Sequence, residues 1–302
     1  MNDDVLPIWA EKFNFAWHSP SAATRPHGME FFEKVIARPR KIYSPPGCTM
    51  KAGTAAHRLA DDVIVDGMSQ GEALRAAVAL FDEHELLAHY PDDAAKFDII
   101  KHETYTDDGG QEDTIFNLTL EHLVAGAREA TTGENKVEKS QWVSVELDGL
   151  KLPYIGQMDL QTRGVVELKT MWPSLSINSK RGWKLQSLPA KPRPDHCRQV
   201  ALYWKKMRRS SDNVPVHLVY ANPKSYRIFS SADTDELSEA NLNQALESLQ
   251  QVASIRENMM ARSTSVTELL QLVSPEFDHW MWREKTDEYK NAAEAAWQEA
   301  SE

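Results

Sequence analysis

The chain has 302 residues, a formal net charge of −11 and 41% hydrophobic residues. It contains no apolar run of the roughly 18 residues that a membrane helix needs, so we expect no membrane partner. The 2 cysteines are too few for a disulfide framework or an iron–sulfur cluster. The N-terminus has no basic region followed by an apolar stretch, so the sequence predicts no secretory signal. We therefore expect the protein in the cytoplasm.

The charge is unevenly distributed along the chain. Acidic residues dominate both ends, whereas the segment 180–209 is strongly basic and contains a single acid, Asp195. Basic residues neutralise phosphates, so a net negative charge does not exclude nucleic acid as a partner. The basic residues of the segment are Lys180, Arg181, Lys184, Lys191, Arg193, Arg198, Lys205, Lys206, Arg208 and Arg209.

The first 130 residues are predicted to be mainly helical after an irregular start at 1–50. Apolar spacing predicts a helix at 52–65. A capping-box pattern at Ser69–Glu72 begins a second helix, whose apolar positions continue to Leu86. Two further helices are expected at 92–103 and 112–130.

β-favouring residues begin near Val137. Three runs, at 142–147, 152–160 and 164–170, predict an antiparallel meander. A loop rich in Pro, Trp and Lys (171–194), a helix (195–209), a strand (214–220), a short strand (226–229) and C-terminal helices are expected to follow. This order predicts a mixed α/β core with helices on both faces of the sheet.

Three charged residues are expected to converge where two strands of the meander meet. Asp159 ends one strand, and Glu167 and Lys169 lie two apart on the next, hence on one face. Two carboxylates and the main-chain carbonyl of Leu168 form an oxygen ligand set suited to Mg²⁺ or Mn²⁺. The lysine would stabilise negative charge and orient a water molecule. A solvated, salt-bridged hairpin is the alternative.

Asp159 followed by Glu167-Leu168-Lys169 resembles the motif of the PD-(D/E)xK nuclease superfamily, although Met158 stands where the name-giving proline would be. The resemblance implies an α/β fold with a restriction-endonuclease-like core, in which helices flank a mixed central sheet. The N-terminal and C-terminal additions would be mainly helical. One nuclease domain is expected over 1–302, with its N-terminal part at 1–135 and its C-terminal part at 231–302. The catalytic core is expected at about 136–230, together with the helix of His57.

Three further elements resemble the RecB-like and lambda-exonuclease-like branch of that superfamily. Gly53 to His57 matches a G-x-x-x-H element whose histidine reaches the metal. Gln199 and Tyr203, four apart on one helical face, match a Q-x-x-x-Y element beside the DNA backbone. Glu138 resembles an acid of this branch that serves a second metal or the nucleophilic water. With 2 cysteines in the chain, the resemblance is to members without an iron–sulfur cluster.

The loop 171–194 is a candidate DNA-binding segment. Trp172 and Trp183 would stack on bases, while basic side chains would neutralise phosphates. The alternative is a packed loop whose tryptophans belong to the core. The candidate basic residues are Lys180, Arg181, Lys184 and, on the following helix, Arg198.

The resemblance implies a stand-alone, metal-dependent DNA exonuclease that hydrolyses phosphodiester bonds from strand ends. Phage or bacterial recombination, repair or replication is the expected setting. Single- or double-stranded DNA ends are the expected partners, together with a single-strand annealing or binding protein. A structure-specific endonuclease with the same site and an inactive nucleic-acid-binding module are the alternatives.

Overall fold

The computed structural model describes residues 6–42, 47–82, 92–208, 213–279, 282 and 285–302. At its centre lies a mixed sheet, with helices before and after it in the chain. The strands are β1 (Thr104–Thr106), β2 (Glu112–Thr114), β3 (Gln141–Val145), β4 (Tyr154–Met158), β5 (Leu160–Gln161), β6 (Val165–Thr170), β7 (Ser174–Leu175), β8 (Trp183–Lys184), β9 (Val216–Ala221) and β10 (Tyr226–Ser230).

The α-helices account for most of the remaining chain. A π-helical turn, Phe32–Ala37, continues the second helix, and short 3₁₀ turns lie at Pro20–Thr24 and Asp235–Leu237. The α-helices are α1 (Ile8–Lys12), α2 (His27–Phe31), α3 (Cys48–Ile64), α4 (Gln70–Asp82), α5 (Asp93–His102), α6 (Ile115–Ala130), α7 (Pro194–Arg208), α8 (Glu239–Arg262), α9 (Val266–Gln271) and α10 (Asp287–Ser301). Within the described ranges, none of them combines the length and apolar character needed to cross a membrane.

The central sheet has the strand order β10-β9-β6-β5. β6 and β9 are parallel, because the connection through α7 returns the chain to the end of the sheet at which β6 begins. The pairs β9–β10 and β5–β6 are antiparallel. The prediction of a mixed sheet is therefore confirmed.

The strands of the meander separate at Asp159. β3 and β4 form an antiparallel pair, and the chain then bends at Asp159 before β5 pairs with the start of β6. β4 and the second half of β6 consequently diverge. We call this point, where β4 and β6 separate at Asp159, the strand fork. The prediction of an antiparallel meander is confirmed for the pairs β3–β4 and β5–β6, but β4 and β6 belong to different sheets, which separate at Asp159.

Helices cover both faces of the sheet, as the order of elements predicts. β6 divides its side chains between two cores: Val165 packs in the core that includes α7 and α8, whereas Val166 and Leu168 pack in the core that includes α3 and α6. Strand alternation therefore directs Glu167 and Lys169 toward the α7 face. The close packing of α6 needs a glycine, because a Cβ at Gly126 would lie 2.6 Å from Cγ1 of Val219.

The expectation of an irregular segment at 1–50 is wrong. Much of the described part is helical, and it packs with the C-terminal helices in a third core that includes Phe13, Phe31, Leu269 and Trp282. This pairing of the two chain ends has no local signal at the N-terminal side, because α1 and α2 are only 5 residues long. The helices predicted at 52–65, 92–103 and 195–209 are confirmed as α3, α5 and α7, whereas Leu86 and Arg209 lie outside the described residues.

Two short hairpins were not predicted. β1 and β2 pair between α5 and α6, so α6 begins at Ile115 rather than at 112, with Thr114 Oγ1 accepting a hydrogen bond from the amide of Asn117 at 3.2 Å. β7 and β8 pair within the segment expected to be a loop at 171–194. That segment is therefore partly ordered by its own backbone.

Candidate active site

Asp159 lies at the strand fork, where its carboxylate has two partners from different elements. Oδ2 accepts a hydrogen bond from the amide of Leu168 on β6 at 2.8 Å. Oδ1 lies 3.0 Å from Nδ1 of His57 on α3. Because β4 and β6 separate at the bend, no carbonyl of β4 pairs with the amide of Leu168. The carboxylate of Asp159 accepts that hydrogen bond instead. The structure thus brings together the predicted residues His57, Asp159 and Leu168.

Glu167 and Lys169 lie two apart on β6 and form an ion pair, in which Lys169 Nζ donates to Glu167 Oε1. Glu167 is buried, with 1% of its side chain exposed, whereas Lys169 retains 18%. The second carboxylate oxygen, Oε2 of Glu167, is also buried and has no hydrogen-bond partner among the described residues. A buried carboxylate oxygen without a donor is unfavourable in its ionised form unless a cation or water reaches it.

Burial and mutual charge interactions shift the pKa values of four side chains at the strand fork, those of His57, Asp159, Glu167 and Lys169. Burial raises the pKa of Glu167 to about 7, and the charge of Asp159 adds to the rise. Burial alone would raise the pKa of Asp159 too, but His57, Lys169 and the Leu168 amide together hold it below its ordinary value. Burial would lower the pKa values of His57 and Lys169, yet the neighbouring carboxylates raise both. At neutral pH, Asp159 is ionised and Lys169 is a cation.

Asp61 was missed by sequence reasoning. It lies one helical turn after His57 on α3, and its Oδ1 accepts a hydrogen bond from the amide of Ser140 at 3.3 Å. Burial raises the pKa of Asp61, the Ser140 amide opposes the rise, and the charge of Asp159 adds to it. The spacing of four from His57 was the available signal, since residues four apart share one helical face.

His196 is a second residue that sequence reasoning missed. It lies on α7, where its Nδ1 is 2.7 Å from the hydroxyl of Tyr220 on β9. Burial lowers the pKa of His196 to about 4, and the positive charge of Lys169 contributes. A neutral imidazole is therefore held near the lysine. The long loop between β6 and α7 hides this proximity from the sequence.

Gln199 and Tyr203 form a hydrogen-bonded chain that ends on β4. Gln199 Nε2 donates to Tyr203 Oη at 3.0 Å, and Tyr203 Oη donates to the carbonyl of Gln157 at 2.7 Å. The tyrosine approaches this closely because residue 156 is glycine: a Cβ there would lie 2.8 Å from Tyr203 Oη. The pair is thus an anchor for β4 beside Asp159, and its expected contact with the DNA backbone remains a prediction.

Glu138 lies on the same ladder as the site. Its backbone exchanges hydrogen bonds with Gln161, at 2.7 and 3.1 Å. This bridge follows the register of β3 and β4, in which Gln141 stands opposite Met158. Its carboxylate, 40% exposed, forms an ion pair with Lys136. The expected role of Glu138 at a second metal or a water stays a prediction.

The two tryptophans of 171–194 belong to the core. Trp172 is buried and stacks on Phe116, with ring centroids 5.8 Å apart, and Trp183 is buried under the guanidinium of Arg181. A ring packed on protein offers no free face to a base, so the packing alternative holds for these two residues. Their basic neighbours are placed differently: Lys180, Arg181 and Lys184 are exposed, and Arg198 is half-buried.

The carboxylates of Asp159 and Glu167 and the imidazole of His57 are ligand types that suit a hard divalent cation, and they lie at one place. Among the described residues, however, the His, Cys, Asp and Glu side chains do not form a preassembled group of three or more metal ligands. Asp159 Oδ1 faces His57, and Glu167 Oε1 faces Lys169. The oxygen that is left without a protein donor is Oε2 of Glu167.

No protein-family model and no curated protein matches this chain. Among solved structures, a proposed exonuclease from Eubacterium rectale is similar, with 12% identity over 85% of this chain and 86% of its own and a TM-score of 0.44. The protein SSO0001 is 16% identical over 74% of this chain and 85% of its own, with a TM-score of 0.24. Likenesses this distant do not assign an activity, which therefore depends on the side chains described above.

Proposed function

We propose that the protein is a metal-dependent deoxyribonuclease with a PD-(D/E)xK-type centre at the strand fork, acting as an exonuclease on strand ends. The observation that carries this proposal is the buried pair of carboxylates, Asp159 and Glu167, beside Lys169, with Oε2 of Glu167 lacking a donor. Each carboxylate has one basic partner, His57 for Asp159 and Lys169 for Glu167, but Oε2 of Glu167 has neither a donor nor a cation beside it among the described residues.

Asp159 and Glu167 are the residues that would hold Mg²⁺ or Mn²⁺, with His57 and the Leu168 carbonyl as further candidate ligands. Oxygen ligands are what these ions prefer, and an ion drawn to Glu167 would satisfy its buried oxygen. When bound, such an ion supplies charge neutralisation at a phosphate and a water of lowered pKa.

Lys169 is the cation that the chain itself contributes. The charges of Glu167 and Asp159 raise the pKa of its ammonium against the effect of burial, so Lys169 stays protonated at neutral pH. A fixed ammonium beside a scissile phosphate stabilises the negative charge that develops during hydrolysis. His57 has a supporting part, because its imidazole holds Oδ1 of Asp159 at 3.0 Å.

DNA would approach from the segment between β6 and α7. Lys180, Arg181 and Lys184 are exposed there, and exposed basic side chains supply the sequence-independent part of phosphate binding. The preference for strand ends is supported by the resemblance of the motif set to lambda-exonuclease-like enzymes. It predicts that a closed circle is spared.

The test is digestion of 5′- and 3′-labelled linear DNA, single- and double-stranded, beside a closed circle, in Mg²⁺, Mn²⁺ or chelator. We expect metal-dependent loss of linear DNA only. Asp159→Ala and Glu167→Ala should reduce the rate to background, and Lys169→Met should lower it by at least about a hundredfold. Glu146→Ala, which removes an exposed acid beside β3, is the matched control and should cut at the wild-type rate.

Activity that survives either carboxylate substitution contradicts the proposed site. Cleavage of the closed circle contradicts the exonuclease mode but leaves the site intact. Loss of activity in Glu146→Ala as well would show that the preparations, rather than the site, had failed. Circular dichroism of each variant separates loss of chemistry from loss of fold.

A further inference from the structure

His196 is linked to the candidate active site through Tyr220. In the parallel register of β6 and β9, Tyr220 stands beside Lys169. Neighbouring strands lie about 5 Å apart and paired residues point to the same face, so both side chains face α7. On that face the ring of His196 packs against the ring of Tyr220, with centroids 5.4 Å apart. The lysine, the tyrosine and the histidine are therefore neighbours.

The histidine also shares one face of α7 with the predicted pair Gln199 and Tyr203. His196, Gln199 and Tyr203 are spaced three and four apart, which places them along one side of the helix. Tyr203 reaches β4 at the carbonyl of Gln157, and His196 reaches β9 at the hydroxyl of Tyr220. This face of α7 therefore crosses the strand fork.

The hydrogen bonds of Tyr220 determine which nitrogen of His196 carries the proton. The Tyr220 hydroxyl is buried and accepts a hydrogen bond from the amide of Arg193 at 3.2 Å. Its own proton needs an acceptor, and within the described part of the chain that acceptor is Nδ1 of His196, at 2.7 Å. Because Nδ1 accepts, the proton of the neutral imidazole is on Nε2.

The imidazole of His196 is neutral at physiological pH. Burial lowers its pKa to about 4, and the positive charge of Lys169 adds to the decrease. A neutral ring with its proton on Nε2 is a hydrogen-bond donor that carries no charge. Such a donor suits a position next to an ammonium group, where a second cation would be unfavourable.

The Nε2–H group is available to a ligand. Oδ2 of Asp195 lies 3.6 Å from Nε2, which is beyond the length of a hydrogen bond. The side chain of His196 is 16% exposed and that of Lys169 is 18% exposed, whereas Glu167 and Tyr220 beside them are buried. The two donors of the α7 face are thus the groups that solvent can reach.

We propose that His196 is a substrate-binding residue, whose Nε2–H donates a hydrogen bond to a phosphate oxygen of the DNA strand beside Lys169. This inference depends on the nuclease function proposed above and adds a contact that the PD-(D/E)xK motif does not contain. A phosphate oxygen is the matching acceptor, because the ammonium neutralises its charge while the imidazole fixes its position. Tyr220 acts through the histidine and is a positioning residue.

The experiment measures binding of fluorescently labelled linear DNA, single- and double-stranded, to the full chain in chelator, where a metal-dependent nuclease does not cut. His196→Ala is expected to weaken binding by at least about tenfold, the effect of losing one hydrogen bond to a charged group. His196→Gln places an amide N–H near the position of Nε2 and should stay within about threefold of wild type. His196→Asn, whose amide reaches only the position of Nδ1, should bind as weakly as His196→Ala.

His122→Ala is the matched control. The side chain of His122 is 15% exposed, which is close to the value for His196. Its ring nitrogens lie 2.9 Å from the carbonyl of Asn222 and 3.2 Å from Oδ2 of Asp107, so the protein itself occupies both. His122→Ala should therefore bind DNA as wild type does, per folded molecule. Circular dichroism gives the folded fraction of each variant.

Three further measurements identify the contact itself. A single methylphosphonate, which removes the charge of one phosphate, is moved stepwise along the strand; at one position it should weaken wild-type binding but not binding by His196→Ala. Tyr220→Phe should weaken binding in the wild-type background and not in the His196→Ala background. NMR of the imidazole nitrogens should show the proton of His196 on Nε2 at neutral pH.

The possible failures can be told apart. If His196→Ala binds as wild type does, or if the Gln and Asn variants lose affinity equally, the phosphate contact is overturned while the nuclease site stands. A proton on Nδ1, or a charged imidazole at neutral pH, also overturns the contact. If binding depends on His196 but no metal ion supports cutting, the nuclease function is overturned. If the protein binds no DNA at all, both fall.

Discussion

Charged side chains are buried in two places in this molecule, and the two places differ in what satisfies them. One is the strand fork, with His57, Asp159, Glu167 and Lys169. The other joins the N-terminal segment to α8 and is called here the terminal charge cluster; its members are His18, Glu30, Lys34, Arg256 and Glu257. Both contain acids, bases and a histidine, so composition alone does not distinguish them.

The terminal charge cluster is tied to the backbone. Arg256 Nη2 donates to the carbonyls of Ala22 and Arg25, at 2.9 and 3.0 Å. Glu257 accepts hydrogen bonds from the amides of Lys151 and Leu152, both at 2.9 Å. Arg256 and Glu257 therefore bind backbone groups from separate segments, which is how a charged group fixes a chain in place. The two oxygens of Glu30, which also lack a hydrogen-bond partner among the described residues, lie 3.4 and 3.7 Å from the cations Lys34 and Arg25.

At the strand fork the charged groups mostly face one another. The Leu168 amide is the backbone donor to Asp159, while Glu167 pairs with Lys169 and keeps one oxygen without a donor. Such an arrangement costs stability, and the hydrogen bond from the Leu168 amide to Asp159 is the backbone contact that it gains. The comparison indicates that buried charged groups tied to the backbone of several segments are structural, whereas a cluster with a buried carboxylate oxygen that faces neither a donor nor a cation among the described residues is a candidate for chemistry.

The largest expected effect on stability belongs to the terminal charge cluster. Arg256→Met removes a fully buried guanidinium and leaves Glu30 and two carbonyls without it, which should cost about 3–5 kcal/mol in urea unfolding. Nuclease activity per folded molecule should be unchanged at low temperature. Wild-type stability in this variant, or loss of activity in a folded sample, would erase the distinction between the two places.

A smaller effect on the free energy of unfolding is expected at the strand fork, where a substitution removes an unfavourable buried charge instead of a stabilising one. Folding raises the pKa of Glu167 from 4.5 to about 7, so the folded state binds the proton of this carboxyl more tightly than the unfolded state does. The stability that this proton contributes is lost as the pH rises toward and through the pKa of the folded state. Between about pH 5 and pH 8, the free energy of unfolding of the metal-free wild type should fall by on the order of 2–3 kcal/mol relative to that of Glu167→Gln. Urea unfolding of both proteins in chelator across this range measures it; a constant difference contradicts it.

The smallest effects separate two neighbouring acids of α3. Asp61→Asn should lower the cleavage rate about tenfold, because Asp61 contributes charge beside Asp159, while changing stability little. Asp62→Asn, whose partner is Arg58 at 2.9 Å, should lower stability by about 1 kcal/mol and leave the rate unchanged. Initial rates and melting temperatures of the two variants decide the matter. Equal rates in both would remove Asp61 from the site.

Much of the site could be predicted because its residues are set by strand geometry. Two residues two apart on a strand share a face, and an acid ending the preceding strand must lie close by. This reasoning places Asp159, Glu167 and Lys169 together, and the structure confirms that they are neighbours. His57 was reached through the resemblance and lies 3.0 Å from Asp159.

The remainder depends on long-range packing that local patterns do not carry. The burial of Trp172 requires Phe116 from α6, and the helical start of the chain is stabilised by the C-terminal helices. Asp61 is an ordinary polar residue of α3 until the fold brings Ser140 to it. The exposure of Trp142 likewise follows from which face of β3 the helix α7 covers.

The position of β9 in the sheet has a consequence for synthesis on the ribosome. β9 lies beside β6 as its parallel partner, yet its residues, Val216–Ala221, are made some time after the motif residues of β6. A nascent chain that stops before them carries Glu167 and Lys169 on a strand that lacks its β9 neighbour. The sheet that carries the candidate site is therefore completed only when the chain has been made as far as Ala221 of its 302 residues.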